Sequence, residues 1–125
     1  MSYRELLPTG CPPEAAEEII GKKEVFRLVR TQPPTLADFN SQRAEKPQAV
    51  FHGVTECQAL GLSVFTVRQD SEKALKLPGL RGRFVCRVRL GAGAGRIQQT
   101  GRPSHHTWWP LAEFDILAHS AVETA

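Results

Sequence analysis

Two short segments place polar side chains among bulky apolar neighbours. Residues 62–66 are one, and residues 104–110, which contain His105, Thr107 and Trp109, are the other. Alternate residues of a strand share a face, so these three side chains would present an imidazole, a hydroxyl and an indole on the same side. Such a face can hydrogen-bond a ribose and stack on a flat ring. The alternative is a buried sheet face on which the histidine and the threonine satisfy each other.

Ser63 and Arg27 are further polar side chains inside apolar strand patterns. By alternation Ser63 shares a face with Phe65. Because there is no GxSxG motif and no assignable His–Asp pair, the serine indicates a ligand hydrogen bond or a core hydroxyl bonded to a carbonyl. Arg27 must reach a ligand phosphate or carboxylate, an acid such as Asp38, or water at a strand edge.

The composition predicts one domain. With 125 residues and 41% hydrophobic residues, the chain can bury a single core, with residues 1–10 loose. It has no apolar run long enough to cross a bilayer and no signal-peptide pattern, so we expect no membrane association and a cytoplasmic setting. The three widely spaced cysteines predict no disulfide, no zinc site and a reducing compartment, with Cys11 exposed and Cys86 in the core.

The arginines are unevenly distributed although the net charge is only +3. Six of them fall within a short span: Arg81, Arg83, Arg87, Arg89, Arg96 and Arg102. They favour either a basic surface for a phosphate-bearing ligand, nucleic acid or acidic partner, or an ordinary solvated sheet face. The glycine-rich stretch 91–95 lacks the GxGxxG spacing of a dinucleotide-binding turn and predicts a mobile loop.

Periodicity predicts an α+β fold with two or three short helices and a mixed, mostly antiparallel sheet. Strict alternation over residues 83–90 is the clearest strand signal, with one face apolar and the other largely basic. Segment 48–61 is predicted mostly as loop, with a brief strand or turn at residues 50–53 and one helical turn at 55–60. The remaining predicted strands are 24–31, 62–67, 97–100, 105–109 and 114–122. The predicted helices are 12–21, 35–47 and a third that runs through Leu77 from a boundary at residues 68–71, which contains two cap candidates.

Several short motifs resemble those of small bacterial proteins with an ADP-ribosyltransferase-like core, including a type VI secretion effector toxin and uncharacterised relatives. They are Phe26-Arg27, the run 61–65 and His105-His106-Thr107, supported by the phrases 33–39 and 101–108. The resemblance covers most of the chain from residue 26 onward. It implies a split sheet whose cleft holds NAD as a substrate.

The resemblance also implies roles for individual residues. Arg27 would meet the phosphates or a ribose, Ser63 with Phe65 the nicotinamide-side ribose, and His105 with Thr107 the nicotinamide end. The implied catalytic residues are His105, Ser63 and an acid downstream of them, Glu113, with Glu123 the other acid in that region.

Three functions follow as alternatives. The first is an NAD-linked transferase or glycohydrolase acting as a toxin. The second is one half of a toxin–antitoxin pair, in which the partner is an antitoxin or immunity protein. The third is a nucleic-acid-binding protein that uses its arginines and tryptophans.

Overall fold

A seven-stranded antiparallel sheet organises the fold, and the computed structural model describes residues 2–123. The strands are β1 (Glu17–Glu18), β2 (Lys23–Val29), β3 (Leu62–Phe65), β4 (Phe84–Leu90), β5 (Gly95–Gln99), β6 (His105–Pro110) and β7 (Ser120–Val122). Their order across the sheet is β1-β5-β6-β3-β2-β4-β7. The α+β class is therefore confirmed. The mixed character is not found, because every strand pair is antiparallel.

The sheet is nearly divided in its middle. β2 and β4 are paired over seven residues, whereas β2 and β3 meet in one pair only, Phe26 opposite Phe65. At this junction the Arg27 side chain donates a hydrogen bond of 2.8 Å from Nη1 to the Ser63 carbonyl oxygen. One side-chain bond thus supplements the short backbone ladder between the two halves.

The two sides of the sheet are covered differently. The core side carries a buried cluster that includes Val25, Val64, Val88 and Trp108, and Phe39 is a loop residue that packs on it. The other side, called here the helix face, carries a smaller cluster: Phe26, Leu28 and Val85 beneath Ala74, Leu75 and Leu80.

Residues 2–123 contain three short helices, α1 (Gln42–Glu45), α2 (Glu56–Ala59) and α3 (Arg68–Ala74). Helix α3 is found in the predicted region, but it begins at Arg68, before the predicted caps, and ends three residues before Leu77, with Ser71 buried inside it. Helix α2 confirms the single helical turn considered for segment 55–60, and Thr55 caps it by accepting a hydrogen bond from the Gln58 N–H. None of the helices within residues 2–123 is long and apolar enough to span a membrane.

The predicted helix 35–47 is interrupted. Residues Leu36–Phe39 form a 3-10 turn with the expected Thr35–Asp38 capping box, and Asn40 then adopts an extended backbone before α1 begins. The interruption has a long-range cause, since the Asp38 and Asn40 carbonyl oxygens accept hydrogen bonds from the Arg27 guanidinium. Those carbonyls are turned towards β2 instead of along a helix axis.

Three other predictions fail at the ends of the chain. Segment 12–21 contains the edge strand β1 instead of a helix, because the Ile19 N–H donates to the Gly95 carbonyl oxygen and so joins the sheet. Segment 114–122 forms a strand only at Ser120–Val122, after the 3-10 turn Leu117–His119. The first described residues are attached to the sheet instead of loose, since Tyr3 is bridged to Leu111 and the Arg4 N–H donates to the Pro110 carbonyl oxygen.

The prediction that the cysteines stay unpaired is wrong for two of them. Cys11 and Cys57 form a disulfide with Cα atoms 5.6 Å apart, across 46 residues of chain. Cys86 is buried as predicted, and burial raises the pKa of its thiol to about 11. Since disulfides persist mainly in oxidising compartments, this bond weighs against the cytoplasmic setting, which stays a prediction.

Reduction of the disulfide is expected to lower the free energy of unfolding by about 2–4 kcal/mol, because closing a long loop restricts the unfolded chain. Chemical denaturation with and without a dithiol reductant measures the difference. A Cys11→Ser/Cys57→Ser variant provides the control, since its stability should equal that of the reduced wild type and should not respond to reductant. Equal stability of the oxidised and reduced wild type would contradict the expectation.

Candidate functional site

Four of the residues singled out in the sequence lie together on the helix face. β3 and β6 pair so that Ser63 is opposite Thr107 and Phe65 is opposite His105. Directly paired residues of antiparallel strands have Cβ atoms about 4.5–5.5 Å apart. The hydroxyl, the phenyl ring and the imidazole are therefore neighbours, with Ser63 exposed, Phe65 and His105 half-buried, and Thr107 buried.

The His105 ring is held in place by two contacts. Its Nδ1 lies 3.0 Å from the Thr100 hydroxyl, which in turn lies 2.9 Å from the Thr107 hydroxyl. The ring also meets Phe65 edge to face, with centroids 5.6 Å apart. Within residues 2–123 the other ring nitrogen, Nε2, makes no side-chain hydrogen bond, so it is the atom of His105 that can bind a ligand.

The environment of His105 favours its neutral form. Burial, and after it the nearby His106, lowers the pKa of the His105 imidazole below its usual 6.5. At neutral pH the ring is thus uncharged, and one of its nitrogens can accept a proton or a hydrogen bond.

Helical segments border this face at both ends of β6. At one end Trp109 donates from Nε1 to the Cys57 carbonyl oxygen of α2, at 2.9 Å. At the other end the N–H of Val67, the residue before α3, donates to the Ser104 hydroxyl. Gly61 allows the close approach at the α2 end, because an added Cβ would overlap the Thr107 methyl group.

Thr100 is the member of this group that the sequence analysis did not assign. It follows β5 directly, and its backbone N–H donates to the His105 carbonyl oxygen, which extends the β5–β6 pairing by one residue. One sequence signal was available for this placement. Thr100 is two residues after Gln98, so the two side chains lie on the same face, and Gln98 is paired with Thr107.

Arg27 does not join this group, and the prediction that it faces the same cleft as Ser63 and His105 is wrong. Arg27 follows Phe26 in the strand, so its side chain lies on the opposite, core side of the sheet. There the guanidinium Cζ lies 5.8 Å from the centroid of the Phe39 ring. The guanidinium donates to three backbone carbonyl oxygens, those of Asp38, Ser63 and Asn40, at 2.8–3.2 Å.

The charge of Arg27 survives its desolvation. Burial, with the charge of Arg83, lowers the pKa of the guanidinium to about 10, so the group stays protonated at neutral pH. Because three segments of backbone surround it, Arg27 links β2, β3 and the 36–40 turn.

Asp38 secures the same turn through a buried carboxylate. It accepts hydrogen bonds from the Arg30 N–H at 2.7 Å, the Thr35 N–H at 2.9 Å and the Thr31 hydroxyl. Burial alone would raise the pKa of this carboxyl, but these hydrogen bonds together hold it below its usual 3.8.

The low pKa of Asp38 predicts an acid-sensitive contribution to stability. A carboxyl whose pKa is lowered by folding stabilises the protein above its unfolded-state pKa, and this stabilisation disappears as pH falls through the folded value. We expect the wild type to lose stability below about pH 4 more steeply than Asp38→Asn, which carries no titrating group there. Thermal melts from pH 6 to pH 2.5 compare the two, and parallel curves would contradict the assignment.

The two acids considered for catalysis lie elsewhere. Glu113 lines a cavity of about 380 Å³ together with Ser2, Asp115 and His119. The Glu123 carboxylate is ion-paired with Arg87, and Arg68 lies 3.8 Å away. Glu113 therefore lies away from the Ser63–His105 pair, and Glu123 lies on the helix face at β4, separated from β6 by β2 and β3.

The predicted basic face is partly neutralised. Arg87 pairs with Glu24 and Glu123, and the Arg89 Nε lies 3.5 Å from the Glu24 carboxylate. Arg96, which also lies in this span, donates to the Ala16 carbonyl oxygen. These pairs favour the ordinary solvated sheet face over a continuous surface for nucleic acid.

Comparison with known proteins adds no relative. No protein-family model, no curated protein and no solved structure matches this chain. Within residues 2–123, no three His, Cys, Asp or Glu side chains gather as a metal site. The geometry of the Ser63–His105 face is therefore the basis for inferring a function.

Proposed function

We propose that this protein is an ADP-ribosyltransferase-like protein that binds NAD on the helix face. The observation that supports the proposal is the pair of cross-strand contacts, Ser63 with Thr107 and Phe65 with His105. These four residues come from two sequence motifs, residues 61–65 and residues 105–107, both of which resemble motifs of ADP-ribosyltransferase-like proteins. Their convergence on one partly exposed face is what the proposal requires.

Each side chain has a distinct part in the proposed binding. The exposed Ser63 hydroxyl can donate to and accept from a ribose hydroxyl. In the tautomer whose Nδ1–H donates to the Thr100 hydroxyl, the neutral His105 can accept a hydrogen bond at Nε2, while Thr100 and Thr107 hold its orientation. Phe65 adds an apolar ring beside the imidazole, against which a flat ring such as nicotinamide packs.

The proposal gives Arg27 a structural role and leaves the site without a carboxylate. Cleaving the glycosidic bond of NAD develops positive charge on the ribose, which enzymes usually stabilise with a carboxylate. Glu113 lies at a separate cavity, and Glu123 is ion-paired with Arg87 of β4. We therefore expect NAD to bind and to be cleaved slowly, with His105 acting as hydrogen-bond acceptor or base.

A titration with NAD followed by backbone-amide NMR tests the binding. The wild type should show saturable shifts in β3 and β6 at millimolar NAD or below, and His105→Ala and Ser63→Ala should each weaken binding about five- to tenfold. His52→Ala is the matched control, since His52 is an exposed loop residue. Absence of shifts in β3 and β6, or equal binding by His105→Ala, would overturn the proposal.

The toxin role belongs to the same proposal and has its own test. Induced expression of the wild type should slow growth of a bacterial host, whereas His105→Ala, made to the same level, should not. A cognate antitoxin or immunity protein would then be one that covers the helix face and restores growth. Equal growth with both forms would separate NAD binding from toxicity.

A further inference from the structure

A second candidate site lies at the Lys23–Leu90 end of the β2–β4 ladder. A groove of about 500 Å³ opens there and contains Lys22, Lys23, Arg89, Phe114 and His119. We call it the basic groove. Its volume is within the range of small-molecule sites, about 300–1,000 Å³. Lys23 lies on the core side of β2, whereas Glu24 and Arg89 are paired on the helix face. Ser63 and His105 lie on different strands, β3 and β6.

The groove carries excess positive charge. Three cationic side chains, Lys22, Lys23 and Arg89, face one carboxylate, Glu24, which gives a net formal charge of +2. Glu24 is already shared between Arg87 and Arg89. Among the ion pairs within residues 2–123, neither lysine has a carboxylate partner at 4.0 Å or less. Both ammonium groups are therefore available to an anion.

Two stacked aromatic rings, called here the Phe114–His119 wall, lie beside these charges. His119 stacks on Phe114 with ring centroids 4.6 Å apart and an angle of 23° between the planes. Phe114 is fixed from below by an edge-to-face contact with Trp108, and the His119 Nδ1 donates to the Asp115 carbonyl oxygen at 2.8 Å. Because His119 is exposed, its imidazole offers a fixed, flat surface for another ring.

We propose that the basic groove binds an anionic ligand with a flat ring, of the class of a nucleoside monophosphate. The phosphate would meet Lys22 and Lys23, and the base would stack on the Phe114–His119 wall. The acids Glu113 and Asp115 line only the neighbouring cavity, which shares Ala92, Phe114 and His119 with the groove. They would disfavour an anion there and so direct it to the lysine side.

A comparison of three probes tests the proposal by NMR titration at low salt: AMP, adenosine and inorganic phosphate. AMP should bind most tightly, with shifts at residues 22–24, 89–92 and 119, and its affinity should fall as salt is added. Adenosine binding as tightly as AMP would overturn the charge assignment. Phosphate binding as tightly as AMP would overturn the stacking assignment, and no binding of AMP would overturn the site.

Variants separate this groove from the NAD face. Lys22→Glu/Lys23→Glu should weaken AMP binding about tenfold or more, while Lys76→Glu, an exposed lysine of another segment, should change it little. Gly91→Leu should also weaken AMP binding, because Gly91 lines the groove and a leucine side chain would occupy part of it. The fold should tolerate this change, since an added Cβ at Gly91 meets no atom within 4 Å. His105→Ala should leave AMP binding unchanged, so that the two sites can fail independently. AMP binding lost in His105→Ala and retained in the lysine variant would refute the groove.

Discussion

Replacing Arg27 by methionine is expected to lower the free energy of unfolding by about 3–5 kcal/mol. Methionine keeps the apolar stem against Phe39 but removes every donor to the carbonyl oxygens of Asp38, Asn40 and Ser63. The bonds to Asp38 and Asn40 are part-buried, and an acceptor left there without a donor costs about 1–3 kcal/mol, whereas the Ser63 carbonyl oxygen is more exposed and can turn to water. Urea denaturation of the purified variant measures the loss.

Two further variants, Arg30→Met and Arg27→Lys, test whether the loss comes from the hydrogen bonds of the Arg27 guanidinium. Arg30→Met removes an exposed ion pair with Glu45 and should cost less than about 1 kcal/mol. Arg27→Lys should recover only part of the loss, because one ammonium group cannot reproduce the planar fork of a guanidinium. If Arg27→Met were as stable as the wild type and instead lost NAD binding, Arg27 would be a ligand contact and not a structural link.

Gly95→Ala is expected to lower the free energy of unfolding by about 4 kcal/mol or more, or to prevent folding. Gly95 has φ +116°, which side-chain-bearing residues rarely adopt, and an added Cβ would overlap the Trp109 carbonyl oxygen. The neighbour that would have to move is backbone, so β5 and β6 would have to separate at their first pair, Gly95 opposite Pro110. Thermal melts and the yield of soluble protein measure the effect.

The matched control for Gly95 is Gly21→Ala. An added Cβ at Gly21 meets no atom within 4 Å, and its backbone has no positive φ, so we expect a change below about 1 kcal/mol. Similar melting temperatures for the two variants would show that β5 can shift without cost at this position.

Local sequence patterns predicted the elements that depend on neighbours in the chain. Alternation in β4 is confirmed, with Cys86 and Val88 buried on one side and Arg87 on the other. The Thr35–Asp38 capping box is also confirmed. Both signals involve residues a few positions apart, where backbone geometry alone determines which side chains meet.

The features that sequence patterns missed depend on partners distant in the chain. β1 forms because the Ile19 N–H bonds the Gly95 carbonyl oxygen at the sheet edge. The helix after Thr35 is interrupted by the hydrogen bond from Arg27 to the Asn40 carbonyl oxygen. Cys11 and Cys57 form a disulfide although 46 residues separate them in the chain. Propensity contains no information on such contacts.

The candidate site was predictable within each strand and not between strands. Alternation correctly placed Ser63 with Phe65 and His105 with Thr107. Whether Arg27 shares their face depends on the pairing of Phe26 with Phe65, since a register one residue different would have turned it to the other side.

The single residue pair between β2 and β3 leaves the two halves of the sheet with almost no backbone ladder between them. Side chains make the connection instead. On the core side Val25, Val64, Val88 and Trp108 belong to one buried cluster, and the Arg27 guanidinium donates to the Ser63 carbonyl oxygen. On the helix face α3 contacts both β2 and β3. A substitution at Arg27 would therefore loosen the junction beside Ser63 from the opposite side of the sheet.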